Sequence, residues 1–150
     1  MSVSSNRTYS FWLVPGAEMT AHRQLRAAIT ELAERVEDAP VFEPHVTVIG
    51  GIDGERGALA ETTRTLASRT APLELTFEGV RWSTTRHRCV FLAVEPTLEL
   101  LELRRSTREA INGPLAAYHP HRSLGYSAMD LTERRDVAQS IETAALPVSI

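Results

Sequence analysis

Two segments of the chain place a histidine and a hydroxyl residue two positions apart among apolar residues. FEPHVTVIGG contains His45 and Thr47, and PHRSLGYS contains His121 and Ser123, so both segments share the pattern Pro-His-x-(Thr or Ser)-apolar. An imidazole titrates near neutral pH, so one ring can remove a proton from water while the other donates a proton to a leaving oxygen. Short hydroxyl side chains can donate hydrogen bonds to the non-bridging oxygens of a phosphate.

The spacing of these residues predicts that all four side chains line one site. Side chains alternate across a strand, so His45 and Thr47 share one face, and His121 and Ser123 share one face of their own strand. If the two units that carry these strands pack about a pseudo-twofold axis, two imidazoles and two hydroxyls converge on one cleft. We therefore predict phosphodiester cleavage, with the histidines as catalytic residues and the hydroxyls as substrate-binding residues.

Other interpretations of these histidines lead to different functions. A single histidine on a strand is usually structural, but two matching motifs at equivalent places argue for a shared role. Zinc catalysis is disfavoured because the sequence has no His-x-x-x-His motif and no cysteine pair, so we expect neither a metal nor another cofactor. A noncatalytic module that binds RNA ends or cyclic nucleotides remains an alternative, although binding alone needs no acid/base pair.

The hydrophobic pattern predicts alternating strands and helices. Strands are expected at YSFWLV, HVTVIGG, LELTFEGVRW, CVFLAV and HRSLGYS. A first helix carries an apolar stripe at helical spacing, formed by Leu25, Ala28, Ile29, Leu32 and Val36, and a weaker helix is expected near residues 55–69. Thr97 is a candidate N-cap for a third helix, and the spacing of Asp130 and Glu133 indicates a capping box before a fourth.

The chain also contains an internal repeat of this plan. Strand, helix and Pro-His strand occur in order at about residues 9–51 and again at about 88–127. Phe11 precedes the first motif histidine by an interval similar to that between Phe91 and the second. This similarity predicts a duplicated unit and a pseudo-twofold axis within a single domain of residues 1–150.

Composition restricts the class of protein. The 150 residues are 43% hydrophobic with a formal net charge of −3, which suits one globular domain and argues against a general nucleic-acid coat. The single cysteine, Cys89, cannot form an internal disulfide, and no apolar stretch approaches the length of a membrane span. We therefore expect a cytoplasmic monomer that acts on a small molecule and does not bind a membrane.

The motif segments together resemble a known group of enzymes. YSFWLVP, FEPHVTVIGG, RCVFLAVEPT and PHRSLGY are similar, in this order, to blocks of the two-histidine (2H) phosphoesterase superfamily, and in particular of the plant and yeast type cyclic phosphodiesterases. The resemblance implies a bilobal α+β fold with a pseudo-twofold axis, in which two antiparallel sheets line a central cleft and the helices lie outside. It covers the chain from residue 9 to about 127.

The resemblance also implies an activity and a division of roles. The expected reaction is metal-independent hydrolysis of ADP-ribose 1″,2″-cyclic phosphate or of nucleoside 2′,3′-cyclic phosphates to monoesters. By resemblance, His121 is the base that activates water and His45 is the acid. An RNA terminus is a further candidate substrate, through 2′,5′ end chemistry, and Trp12 and Tyr126 are candidates for stacking on a base or ribose, with a core role as the alternative.

One feature departs from the family pattern. The chain ends at ALPVSI, where family members usually continue through a further strand that returns to the sheet. Either this is a short version of the fold, or residues 147–150 are the beginning of that strand. The missing strand would affect one edge of the sheet and one wall of the cleft, but not the two motifs.

Overall fold

The computed structural model describes residues 8–16, 19–36, 38–85, 88–113, 118–125 and 129–141. The predicted α+β class is confirmed by the strands and helices that these residues form. In chain order they are β1 (Thr8–Leu13), α1 (Thr20–Arg35), β2 (Val46–Asp53), α2 (Arg56–Arg69), β3 (Phe77–Trp82), β4 (Val90–Val94), α3 (Leu98–Ile111), β5 (His121–Gly125) and α4 (Leu131–Ser140).

The five strands form one antiparallel sheet in the order β1-β2-β5-β4-β3. The expectation of two separate sheets is therefore corrected, because the β1–β2 pair and the β5-β4-β3 group are joined. The junction is one pair of residues, Val46 of β2 opposite Arg122 of β5. Hydrophobic alternation identifies a strand and its faces, but it does not specify which distant strand lies beside it.

The helices cover one face of this sheet, which we call the core face. Leu25 and Ile29 of α1 are fully buried and pack in one cluster with Val46, Leu92 and Leu124. Leu100 of α3 and Ala138 of α4 belong to the same cluster. The apolar stripe predicted for the first helix is thus the surface that covers the sheet.

Each helix of the two strand-helix-strand segments packs on the closing strand of the other segment. Helix α1 contacts β5, and α3 contacts β2. Gly125 shows how close the first contact is, since a Cβ built there would lie 3.4 Å from Leu32 Cδ1. On the other side, Arg104 of α3 donates a hydrogen bond from Nη1 to the carbonyl oxygen of Val48 at 2.6 Å.

The two predicted N-caps lie at the starts of their helices. The hydroxyl oxygen of Thr97 accepts a hydrogen bond from the backbone N–H of Leu100 at 3.3 Å, at the start of α3. The carboxylate of Asp130 accepts one from the N–H of Glu133 at 2.9 Å, at the start of α4. These bonds satisfy backbone donors that the first helical turn leaves without an intrahelical partner.

Helix α2 is the predicted weak helix, and it is attached more loosely than α1. None of the α2 side chains that the structure describes is buried. A mainly apolar pocket of about 250 Å³ lies between α2, α3 and the β1–β2 pair, and its lining includes Leu13, Val48, Leu66 and Leu103. The stability of the fold therefore depends more on α1 than on α2.

We expect Leu25→Ala to destabilise the protein by about 2–5 kcal/mol, because Leu25 is fully buried between α1 and the sheet. Leu98→Ala is the matched control, since this leucine is 83% exposed. Urea unfolding monitored by circular dichroism measures both. Equal losses of unfolding free energy in the two variants would contradict the packing of α1 described above.

Candidate functional site

The β2–β5 junction brings the two motifs together. With Val46 opposite Arg122 in an antiparallel pair, the register directs His45 toward Ser123 and Thr47 toward His121. Each motif histidine therefore lies across from the hydroxyl residue of the other motif. Diagonal neighbours on one face of such a pair are about 7–8 Å apart, which leaves room for a phosphate group between the two imidazoles.

Strand pairing also shows which face of the sheet carries these residues. Thr47 lies opposite Trp12 of β1, and Ser123 lies opposite Phe91 of β4. Because neighbouring side chains alternate, these residues point away from the core face, onto which Val46, Leu92 and Leu124 project. We call the side that carries them the motif face.

Both motif histidines are oriented by the same type of hydrogen bond. His45 Nδ1 lies 2.7 Å from the carbonyl oxygen of Glu43, and His121 Nδ1 lies 2.8 Å from the carbonyl oxygen of His119. A carbonyl oxygen can only accept, so Nδ1 is the donor in each ring. The Nε2 atom of a neutral ring then has a lone pair that can accept a proton, and the Nε2 of a protonated ring can donate one.

These two carbonyl groups are functional elements that the sequence analysis missed. In each motif the accepting residue is two positions before the histidine and is separated from it by a proline, Pro44 or Pro120. Both prolines are buried, and a proline ring restricts φ, which fixes the path of the chain between donor and acceptor. The shared Pro-His dipeptide was the available signal for this arrangement.

Aromatic rings contact both histidines, but they do so differently. Trp12 stacks on His45 with ring centroids 3.6 Å apart and an interplanar angle of 12°, and Phe42 meets the same imidazole edge-on at 6.1 Å. Phe91 meets His121 edge-on at 5.4 Å. Trp12 is 50% exposed, so its ring covers His45 while part of it remains accessible to solvent.

The pairing of β1 with β2 corrects the equivalence expected between Phe11 and Phe91. Two register shifts interrupt this ladder, one just before Phe11 and one just after it. They bring Trp12 opposite Thr47. Trp12 is therefore the counterpart of Phe91, which lies opposite Ser123. An irregularity of this kind leaves no clear mark in the hydrophobic pattern, so the sequence identified Trp12 as a candidate site residue but not its place in the repeat.

His45 has an environment that favours its neutral form. It is 7% exposed, and this burial lowers the pKa of the His45 imidazole below its ordinary value of 6.5. The hydrogen bond to the Glu43 carbonyl opposes this effect, while the positive charges of Arg122 and His121 lower the pKa further. His45 is therefore mainly neutral at neutral pH, with Nε2 able to accept a proton.

A second set of contacts holds the backbone of Thr47 in place. The sequence analysis did not predict these contacts either. Tyr118 donates a hydrogen bond from its hydroxyl group to the carbonyl oxygen of Thr47 at 2.8 Å, and the Arg104 guanidinium lies 4.3 Å from the centroid of the Tyr118 ring. Burial raises the pKa of Tyr118 to about 12, so its hydroxyl remains protonated and able to donate. The first motif strand is thereby connected to α3 and to the segment that precedes β5.

The remaining predicted site residue, Tyr126, lies outside the residues that the structure describes. So do residues 142–150, which include the segment considered as the beginning of a further strand. Within the described ranges no three His, Cys, Asp or Glu side chains are grouped as metal ligands would be. No helix in the same ranges is long and apolar enough to cross a membrane.

The fold and the paired motifs are those of a two-histidine phosphoesterase. Residues 21–150 match the family model described as the 2′-5′ RNA ligase superfamily. The chain belongs to this family, and the resemblance inferred from its motifs is confirmed.

Two yeast relatives have names that describe an activity. A 2′,3′-cyclic-nucleotide 3′-phosphodiesterase of Yarrowia lipolytica is 28% identical over 136 residues, which cover 85% of this chain and 61% of that protein. A protein of the same name from Kluyveromyces lactis is 28% identical over 155 residues, with 89% of this chain and 72% of that protein covered. The chain thus spans about three fifths of the first relative and somewhat more of the second.

We expect Trp12→Ala to raise the pKa of His45 toward 6.5, because removal of the stacked indole hydrates the ring and reduces the penalty for its charged form. Trp12→Phe, which keeps an aromatic cover, should change the pKa less. The measurement is a pH titration of the imidazole Cε1–H signals by NMR, with the His45 signal assigned from its absence in His45→Gln. A pKa that is unchanged in Trp12→Ala would show that the indole does not desolvate His45.

Proposed function

We propose that this protein is a metal-independent cyclic phosphodiesterase that uses His45 and His121 as its acid/base pair. The main support is the matched geometry of the two motifs: each Nδ1 donates to a carbonyl two residues earlier, so Nε2 is the atom of each ring that would transfer a proton. Thr47 and Ser123 belong to the same motif face. In this proposal their hydroxyl groups bind the non-bridging phosphate oxygens.

The proposed reaction opens a cyclic phosphodiester by in-line attack of water on phosphorus. One neutral histidine accepts a proton from the water as the new P–O bond forms. The other, protonated histidine donates a proton to the ribose oxygen as the old P–O bond breaks. The product is a phosphate monoester, and a proton must return from the first ring to the second, through solvent, before the next turnover.

We further propose that His45 is the base and His121 the acid. Burial beneath Trp12 favours the neutral form of His45, which is the form that a base requires. This is the reverse of the order implied by the family resemblance, which assigned the base to His121. The two orders predict different effects of the single variants on the pH profile.

For the substrate, we propose a nucleoside 2′,3′-cyclic phosphate opened at its 3′ bond to give the 2′-phosphate. The names of the two yeast relatives support this choice. ADP-ribose 1″,2″-cyclic phosphate is the second candidate, since it presents a similar cyclic phosphodiester on a ribose. A panel of both compounds and of an RNA with a cyclic phosphate terminus, with phosphorus NMR of the products, distinguishes these substrates.

Two other functions lead to different results in the same panel. A noncatalytic module would bind cyclic nucleotides or RNA ends and leave them unchanged. An enzyme that processes RNA 2′,5′ ends is the other alternative, and the description of the matching family, the 2′-5′ RNA ligase superfamily, is the reason to include it. Such an enzyme would act on an oligonucleotide terminus in preference to a mononucleotide. The net charge of −3 favours the small substrate over a longer RNA.

We expect His45→Ala and His121→Ala each to lower kcat/KM by about 10²- to 10⁴-fold, the usual contribution of a general acid or base. Thr47→Ala and Ser123→Ala should cause smaller losses. His119→Ala is the matched control, because it removes an imidazole two residues from His121 but keeps the backbone carbonyl that accepts the His121 hydrogen bond. Initial rates with a 2′,3′-cyclic nucleotide are the measurement.

These assays are run with and without an excess of chelator, after circular dichroism has shown that each variant is folded. Wild-type rates in a folded His45 or His121 variant would contradict the acid/base pair. Activity that is lost in chelator and restored by one particular metal ion would contradict the metal-independent mechanism.

We expect kcat/KM to follow a bell-shaped pH curve whose two limbs report the two histidines. A base must be neutral, so activity falls as the pH is lowered through the pKa of His45, which lies below 6.5 in the free protein. The residual activity of His45→Ala should therefore lack the acid limb, and that of His121→Ala should lack the alkaline limb. The opposite pattern would restore the order implied by the resemblance, and a mixture of 2′- and 3′-phosphates would contradict any fixed division of roles.

A further inference from the structure

Arg122 is a charged residue in the middle of the hydrophobic core. It is fully buried, and it lies in β5 between the two motif residues His121 and Ser123. Its neighbours across the sheet are Val46 of β2 and Leu92 of β4, both members of the core cluster. Because side chains alternate along β5, the Arg122 side chain projects onto the core face, on the opposite side of the sheet from the motif residues.

Few interactions within the fold offset the cost of burying this guanidinium. Arg122 Nε, Nη1 and Nη2 have no hydrogen-bond partner among the residues that the structure describes, and the guanidinium carbon lies 5.9 Å from the centroid of the Phe77 ring. Burial lowers the pKa of Arg122 to about 10, so the side chain is still cationic at neutral pH. A buried charge without a counter-charge destabilises the folded state, so its presence calls for another explanation.

Arg134 is a second buried arginine, and its guanidinium does form hydrogen bonds that support the fold. It is also buried, but it donates hydrogen bonds to the carbonyl oxygens of Met129, Ser83 and Thr85 at 2.6–2.9 Å. These bonds connect α4 to the segment after β3. Arg122 has no comparable set of acceptors among the described residues. It also differs from Arg134 in position, because it lies in β5 between His121 and Ser123 with its side chain on the opposite face of the sheet.

We propose that Arg122 is a positioning residue whose buried positive charge attracts the phosphate to the motif face and holds His45 in its neutral form. This inference rests on the proposed function, because it concerns the same site and its anionic substrate. In the low-dielectric core the charge is screened far less than at the surface, so its field extends through the sheet to the motif residues.

The other charged groups near His45 and Arg122 leave this field largely uncompensated. Among the described residues of β5, His121 also lowers the pKa of His45 by its charge, which has the same sign as that of Arg122. The nearest carboxylate in sequence, Glu43, is exposed and paired with Arg26 and His22 of α1. From β1, the group that contacts the imidazole is the uncharged indole of Trp12.

The elements packed around Arg122 itself are apolar where they face it. Helix α1 presents leucine and isoleucine side chains to β5, and the neighbours on the adjacent strands are Val46 and Leu92. The ring near the guanidinium is that of Phe77, which belongs to β3, beyond β4. Desolvation alone accounts for the lowered pKa of Arg122, with no carboxylate acting against it among the described residues. The charge is thus available to act on the motif face.

The test compares Arg122→Met, which removes the charge at similar volume, with Arg122→Lys, which retains it. Arg64→Met is the control for net charge, because Arg64 is an exposed residue of α2 paired with Glu61. Binding of inorganic phosphate and the NMR titration of His45 are measured for all variants and for the wild type. Neither readout requires turnover, so the result does not depend on which substrate the protein hydrolyses.

We expect Arg122→Met to remain folded, to bind phosphate about tenfold more weakly and to have a raised His45 pKa. Arg122→Lys should stay close to the wild type in both readouts, and Arg64→Met should match the wild type. Unchanged phosphate binding and an unchanged His45 pKa in Arg122→Met would overturn the proposal. Unfolding of Arg122→Met would also overturn it, since the charge would then support the fold. An inactive wild type with the expected Arg122 effects would instead refute only the proposed hydrolysis.

Discussion

The pairing of β2 with β5 is the interaction on which the rest of the arrangement depends. It is a single residue pair, Val46 opposite Arg122, yet it joins two parts of the sheet that are distant in sequence. Each of these strands begins at or next to a motif histidine, so the pair fixes the relative position of the two imidazoles. A shift of one residue in this register would turn one motif toward the core, because the side chains of a strand alternate with a period of two.

So short a ladder needs support from elsewhere, and the helices provide it. Helix α1 packs on β5 and α3 packs on β2, so each helix belongs to one strand-helix-strand segment and stabilises the closing strand of the other. The close approach of Gly125 to Leu32 and the hydrogen bond from Arg104 to the Val48 carbonyl lie at these two contacts. The two segments are thereby interlocked. The predicted duplication of one unit is consistent with this reciprocal packing, and it remains a prediction about the origin of the two segments.

The sequence was informative wherever the determining interactions are local. The helix starts at Thr97 and Asp130 follow from side chains that bond to backbone groups three residues away, and the two Pro-His motifs identify the candidate site without any knowledge of the fold. Features that depend on pairing between distant strands could not be predicted from the sequence alone. The joining of the sheet depends on register between strands, which the hydrophobic pattern does not encode, and so does the position of Trp12, itself a predicted site residue, opposite Thr47. The carbonyl acceptors were missed because backbone groups are the same at every position, and the Pro-His dipeptides that mark them were interpreted only as part of the histidine motif.

The two halves of the candidate site have similar backbones but different surroundings, and this difference has a chemical consequence. Two histidines in identical environments would have equal intrinsic pKa values, so the apparent pKa values would belong to the pair and neither ring would have a preferred role in proton transfer. Here an indole is stacked on His45, whereas His121 is contacted edge-on by Phe91. The stacked indole and the buried charge of Arg122 both disfavour protonation of the first ring. In the mechanism that we propose, the repeated motif supplies two equivalent groups, and the side chains around them make one group a base and leave the other to act as the acid.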